Sequence, residues 1–223
     1  MNDAIQSRSE SGVSEVAKTS GLLAAIILHN LVYPLSAAGG AGPVLFYAFY
    51  ASMFVVATWF LHPGKALRSL ALVSGLAVFV AGLTNSYAAI EMSALAVYVS
   101  SIAYHLVIII VLARYIFSTQ QVMTEVLLAA TSLYLVLGSI FAAIYGVVLC
   151  LDPAAFVLSS GTSIEWQQLL YFSYVTLTTL GYGDVLPVSY YAQSVATFQA
   201  ILGTLYTVLL LARLVGLHAS RTD

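Results

Sequence analysis

The sequence is short of charge. Asp, Glu, Lys and Arg make up 7% of its 223 residues, where an ordinary soluble domain carries about 25%. Seven bases and nine acids cannot coat a water-facing globule of this size, which excludes a soluble enzyme. A hydrophobic fraction of 61% and a mean hydropathy of +0.97 exclude an intrinsically disordered chain. A net charge of −2 leaves no basic footprint, so nucleic acid is not an expected partner. The single cysteine, Cys150, excludes an intrachain disulfide framework and a cysteine-cluster metal site. No His-Glu-x-x-His and no nucleophile–base pair occurs, so no catalytic residue is assigned. An integral membrane protein remains.

Crossing the hydrocarbon core takes about 20 apolar residues at 1.5 Å each. The first such run is 21–38, interrupted by His29, Asn30 and Pro34. A glycine-rich turn at 39–43 leads to a second run, 44–61, which the breaker His62-Pro63-Gly64-Lys65 ends. The third run is 66–87, the fourth 92–117, and the fifth 122–151, closed by Asp152-Pro153. After a stretch of mixed polarity, the last runs from 188 to 217. Six spans are expected, with a special segment between the fifth and sixth.

The distribution of bases tests that count. With the N-terminus inside, Arg8, Lys18, Lys65, Arg68, Arg114, Arg213 and Arg221 all fall on or near the cytoplasmic face. The outward loops hold only acids: Glu91, Asp152, Glu165 and Asp184. Ser36-Ala37-Ala38 looks like a cleavage site, but residues 1–19 carry three acids against two bases, unlike a signal peptide. The expectation is therefore a retained first span behind a disordered cytoplasmic tail, 1–19. Compact loops fit a cell membrane, with a bacterial inner membrane the natural setting and both termini cytoplasmic.

Between the last two spans, residues 165–177 are too short to cross but long enough for a helix reaching halfway. They lead into Thr179-Leu180-Gly181-Tyr182-Gly183, where glycines alternate with larger residues. Glycine tolerates positive φ, so such a run can turn successive carbonyls to one side. Irregular backbone at membrane depth is tolerated only inside protein or along a wet cavity. A row of inward carbonyls can replace the water shell of a cation.

Thr178-Thr179-Leu180-Gly181-Tyr182-Gly183-Asp184 resembles the T-x-G-Y-G-D selectivity filter of the potassium channel family. The resemblance covers about 122–217. It implies that the carbonyls of Thr179, Leu180, Gly181 and Tyr182, with the Thr179 hydroxyl, coordinate K+ in a row. It further implies that Gly183 shapes the outer mouth and Asp184 braces the filter from behind. The half-helix end near Thr176–Thr178 would point its partial negative charge at a central cavity. Tyr171, Phe172 and Tyr174 are expected to form an aromatic cuff, with Tyr171 bonded to Asp184, although lipid-interface anchoring would also explain these rings. Leu180 departs from the commoner Val, and Val175 stands where some members carry a Glu.

Gly203, twenty residues beyond Gly183, falls where family members carry a hinge glycine; a small residue for helix contact is the alternative. Thr204, Thr207 and Leu211 share one face of the last helix and are candidate cavity-lining residues, although a helical Thr also bonds its own i−4 carbonyl. The fourth span holds Arg114 alone, at its inner boundary, so no classical voltage sensor is expected. His29, Asn30, Asn85, Glu91 and His105 are the polar oddities of the first four spans. Lone histidines in a bundle mostly join helices, and pH modulation is the alternative.

The expected architecture is an all-α membrane protein of six transmembrane helices plus a re-entrant pore helix and filter loop. One filter supplies a quarter of a pore, so a homotetramer is implied. The chain divides into a cytoplasmic tail (1–19), a four-helix peripheral domain (20–117), a pore domain (118–217) and a short cytoplasmic tail (218–223). The function implied is passive, potassium-selective conduction. The alternatives are a weakly selective cation channel or a K+ transporter subunit. The partners are K+ ions, the lipid bilayer, three further copies, and an unidentified gating ligand or protein. No cofactor is expected beyond the permeant ion.

Overall fold

The computed structural model describes residues 2–37, 40–50, 64–88, 92–118 and 124–219. Helix α1 (Asn2–Val32) continues into a 3-10 turn, Tyr33–Ala37. Residues 42–50 form α2. Then come α3 (Lys65–Tyr87), α4 (Ser93–Ser118) and α5 (Thr124–Leu151). Strand β1 (Phe156–Leu158), the short α6 (Trp166–Leu177), strand β2 (Val185–Pro187) and α7 (Tyr190–Ala219) complete the chain.

Among the described residues, five helices are long and apolar enough to cross a membrane: Glu15–Leu35, Lys65–Tyr87, Ser93–Ser118, Thr124–Leu151 and Tyr190–Arg213. The chain is a multi-pass membrane protein. The expected second span, 44–61, begins within α2, and its remainder from 51 lies outside the described residues, as does Glu91. Two features differ from the sequence-based expectation. The tail 1–19 is helical from Asn2, because a helix nucleated by an apolar span extends at the cost of one residue at a time. The molecule is also not purely helical. Phe156, Val157 and Leu158 pair antiparallel with Pro187, Leu186 and Val185, clasping the chain entering α6 to the chain leaving the filter. Hydropathy alone did not separate these three-residue strands from the loops around them.

Helix α5 is the hub. Its first half joins an apolar core with α1, α3 and α4, built on Leu22, Ile26, Tyr104, Leu112, Val126 and Ala129. Its second half joins another with β1, α6, β2 and α7, built on Ile140, Tyr145, Phe156, Leu169, Phe172 and Ala192. The apolar window of α5 is 61% buried, whereas that of α7 is 11% buried. Helix α7 therefore leaves most of its surface open, including Phe198, Ile201, Leu205 and Leu209.

Tyrosines seated on glycines bring the helices close. A Cβ on Gly82 would overlap the ring of Tyr47, one on Gly146 the ring of Tyr98, and one on Gly138 the ring of Tyr174. Small residues at such crossings let membrane helices approach, where lipid supplies no hydrophobic drive.

Candidate functional site

Helix α6 starts sharply. The backbone N–H of Glu165 donates to Gln168 Oε1 at 2.7 Å, the return arm of a capping box. Twelve residues later the helix ends, and the chain folds back on the last turn. Thr178 N–H and Thr178 Oγ1 both donate to the Tyr174 carbonyl, at 3.0 and 2.7 Å. Thr179 N–H reaches the Thr176 carbonyl at 3.1 Å. Leu180 and Gly181 N–H both reach the Val175 carbonyl, at 2.9 and 3.3 Å. The N–H donors from Thr178 to Gly181 are thus turned into the helix end.

The acceptors are not. Among the described residues, no hydrogen bond ends on the carbonyls of Thr179, Leu180, Gly181, Tyr182 or Gly183. The segment is exposed from Thr178 to Gly183. Positive φ occurs at Thr179 (58°), Gly181 (58°) and Gly183 (77°), and not at Leu180 or Tyr182 between them. Alternation between left- and right-handed backbone is what a strand needs to direct successive carbonyls the same way. Thr179 is the one non-glycine residue with positive φ among the described residues, a conformation an L-residue adopts at a cost of about 1–2 kcal/mol.

The surroundings hold this strand from behind. Tyr171 stacks on Tyr182, with centroids 6.5 Å apart and planes 1° from parallel. The Asp184 carboxylate accepts from Val185 N–H at 3.1 Å, and its carbonyl accepts from Ser159 N–H at 2.8 Å, just past β1. Of the three rings expected in a cuff, Tyr171 alone contacts the filter strand among the described ring contacts. Phe172 packs on Tyr145 and Phe156, and Tyr174 sits on Gly138 and donates to the Leu135 carbonyl at 2.8 Å. Both point toward α5 because alternate faces of one short helix cannot all meet the strand beyond its end. Within this chain they anchor α6 against α5 and β1.

A buried polar chain, not anticipated from the sequence, joins three helices. Tyr145 of α5 donates to Gln199 Oε1 of α7 at 2.5 Å. Gln199 Nε2 donates to the Ser173 carbonyl and hydroxyl of α6, at 3.0 and 2.8 Å. Ser173 Oγ in turn donates to the Gly138 carbonyl at 2.6 Å. Tyr145, Ser173 and Gln199 are each 0% exposed, so every polar atom in the chain depends on its neighbour. The available signal was a Gln deep in an apolar helix, one of two glutamines there with Gln193. Its partners lie 26 and 54 positions away, beyond any local pattern.

A hollow of about 350 Å³ lies at the Thr178–Thr179 end of this segment, lined by Tyr134, Thr178, Thr179, Gly203, Thr204 and Thr207, among others. Leu211, expected on the same face, is exposed and does not border it; it lies one full turn beyond Thr207, the lowest of the expected residues that do. Thr204 and Thr207 donate to the Ala200 and Gly203 carbonyls, each at 3.0 Å, as helical threonines commonly do. Gly203 has a steric role. A Cβ there would overlap the Leu177 carbonyl oxygen, at the place where α7 crosses the last turn of α6. That carbonyl also accepts from Tyr134 at 3.2 Å, so it has no freedom to give way.

Residues 121–218 match the family model described as "Ion channel". Over that segment, from just before α5 to the end of α7, the match supports an ion channel. Comparison with curated proteins and with solved structures gives no match.

Proposed function

We propose that this chain forms one quarter of a potassium-selective channel, with the Thr179–Gly183 backbone as the ion pathway. The observation that carries this reading is the partition of hydrogen-bonding groups: the N–H groups of Thr179, Leu180 and Gly181 are tied into the helix end, while the carbonyls from Thr179 to Gly183 are exposed and without a partner among the described residues. A backbone carbonyl at membrane depth needs a partner. A dehydrated monovalent cation moving along the row supplies it, and each carbonyl replaces one water of its shell. The Thr179 hydroxyl donates to the Thr178 carbonyl at 2.6 Å, so its oxygen keeps a lone pair for the lowest site.

One strand cannot surround an ion. Four copies about a common axis would enclose it, and the open face of α7 is the surface they would share. The C-terminal end of α6 then aims its partial negative charge into the hollow at Thr178, Thr204 and Thr207, favouring a cation there before it enters the row. The acids of the outward loops, Asp152, Glu165 and Asp184, give the mouth the same preference when the bases lie on the cytoplasmic side. The setting is a cell membrane with both termini cytoplasmic.

The test is flux from purified protein in liposomes, K+ against Na+, with barium as blocker. K+ flux well above Na+ flux and sensitive to barium is expected. Equal permeability would overturn the selectivity and leave a general cation pore.

A further inference from the structure

Helix α7 is lightly held, and the contacts that hold its second half lie on one stripe. Its apolar window is 11% buried, with Leu205, Val208, Leu209 and Leu211 exposed. Gly203, Tyr206, Leu210 and Arg213 follow one another at three- and four-residue spacing, which places them on one face. Gly203 lies against the Leu177 carbonyl of α6. Tyr206 donates to the Ala130 carbonyl of α5 at 2.6 Å, and Leu210 packs on the apolar core of the peripheral helices and α5. Arg213, the last of the four, reaches a different helix.

That helix is α4. Arg213 Nη2 donates to the Ile116 carbonyl at 2.7 Å, across 97 positions of sequence, and the guanidinium lies 5.1 Å from the centroid of the Phe117 ring. Three physical effects favour this seat. Ile116 belongs to the last turn of α4, which ends at Ser118, and carbonyls there have no amide partner within their own helix. The same helix end carries partial negative charge, which a cation offsets. The guanidinium over Phe117 adds a cation–π contact, while the aliphatic stem runs along apolar surface. Helix α4 otherwise packs mainly on α3 and α5, and α7 on α5 and α6, so among the described residues little besides this contact joins α4 to α7.

We propose that Arg213 is a latch that makes the ends of α4 and α7 move together. A guanidinium that merely snorkels stays in the headgroup layer and ties its helix to no other; this one is bound to a carbonyl of a second helix and covers a ring beside it. On the channel reading, on which the consequence rests, α7 flanks the ion's way beyond the Thr178–Thr179 end of the strand. A shift of the peripheral bundle that displaces the end of α4 then displaces the wall of that path. Helix α4 needs no gating charge for this, since the latch transmits position and not voltage.

Hydrogen–deuterium exchange of the full-length protein in phosphatidylcholine nanodiscs, read by mass spectrometry, tests the latch. Arg213→Gln barely alters helix propensity. It should speed amide exchange over 206–219 about tenfold, the loss of one charge-assisted hydrogen bond, and leave 190–202 at the wild-type rate. Phe117→Leu alters only α4, at a ring 73% exposed, so folding is spared. Exchange over 206–219 should still rise about threefold, which no local effect on α7 would produce. Arg213→Lys keeps a charge at the membrane face without the planar stack, and should fall between wild type and Arg213→Gln. Unchanged exchange in Arg213→Gln, no effect of Phe117→Leu on α7, or wild-type exchange in Arg213→Lys would each overturn the proposal. Single-channel recording in planar bilayers reads the consequence. The ratio of open to closed time should change about tenfold in Arg213→Gln, with the K+/Na+ ratio unaltered; an unchanged open-to-closed ratio would overturn the coupling. Wild-type protein that passes no current refutes the channel reading alone, and the exchange measurement still decides the latch.

Discussion

The two halves of the molecule are held together differently. In the pore half, side chains reach across helices to polar partners: Tyr145 to Gln199, Gln199 and Ser173 to backbone carbonyls, Tyr134 to Leu177, Tyr174 to Leu135, and Tyr206 to Ala130 at 2.6 Å. In the peripheral half, apolar packing is joined by fewer such contacts, Tyr50 to Ser101 at 2.9 Å and Ser93 to Asn85 at 2.7 Å among them, and two buried histidines keep an unused nitrogen among the described residues. Regular helices satisfy their own backbones and need only shape to pack. A strand with alternating φ and open carbonyls has no such internal support, so its neighbours must fix it through directional bonds. Rigidity is concentrated where the backbone is irregular.

The sharpest way to break this contrast is at the strand itself. Gly181→Ala puts a Cβ on a residue with φ of 58°, costing about 1–2 kcal/mol per copy. Loss of K+ flux or of its preference over Na+ is expected in the liposome assay. Retained selective flux would show that the left-handed turn is not required.

The next largest effect is expected at Gln199. Gln199→Leu leaves the Tyr145 hydroxyl without its acceptor and Ser173 without a donor, costing about 2–3 kcal/mol. Thermal unfolding in detergent should register this clearly. The matching change in the peripheral half, Asn85→Leu, removes a single bond, Ser93 Oγ to Asn85 at 2.7 Å, for about 0.5–1.5 kcal/mol. Equal losses from the two variants would erase the distinction between the halves.

Gly203→Ala forces the inner helix off the Leu177 carbonyl, with about 1–3 kcal/mol of overpacking expected in the same unfolding measurement. Gly64→Ala is the control. It meets nothing within 4 Å and has a φ of −53°, so a change within about 1 kcal/mol is expected, in the stabilising direction if any. A destabilised Gly64→Ala beside an unaffected Gly203→Ala would remove the steric role assigned to the crossing.

The smallest effect is expected at Arg114, exposed near the end of α4. A sensor charge crossing the field couples about 2.3 kcal/mol per 100 mV. Arg114→Gln should leave the conductance–voltage slope unchanged, measured in planar bilayers. A slope that falls would make α4 a sensor after all.

Much of the site was legible because it is local. The alternation Thr179–Gly183 carries two of its three positive φ values in its glycines, Thr179 being the exception, and the length of 165–177 announces a short helix. The long spans were legible for the same reason, since hydropathy sums over neighbours. Gln199 was not, because its meaning is a contact with Ser173 and Tyr145. Gly203 was half legible: the sequence offered a hinge or a contact, and the crossing with Leu177 gives the contact its physical cause. The β1–β2 clasp was missed because two three-residue strands have no periodicity to detect.

The sequence by itself determined that this chain lives in a membrane, roughly where it crosses, and which five residues form an irregular strand with room for positive φ. Those properties follow from composition and from neighbours in the chain. Tertiary structure alone decided which groups the strand leaves unpaired, what fixes α6, and that two histidines 76 positions apart border one cavity. These depend on which surfaces meet, and a one-dimensional pattern does not record where helices cross.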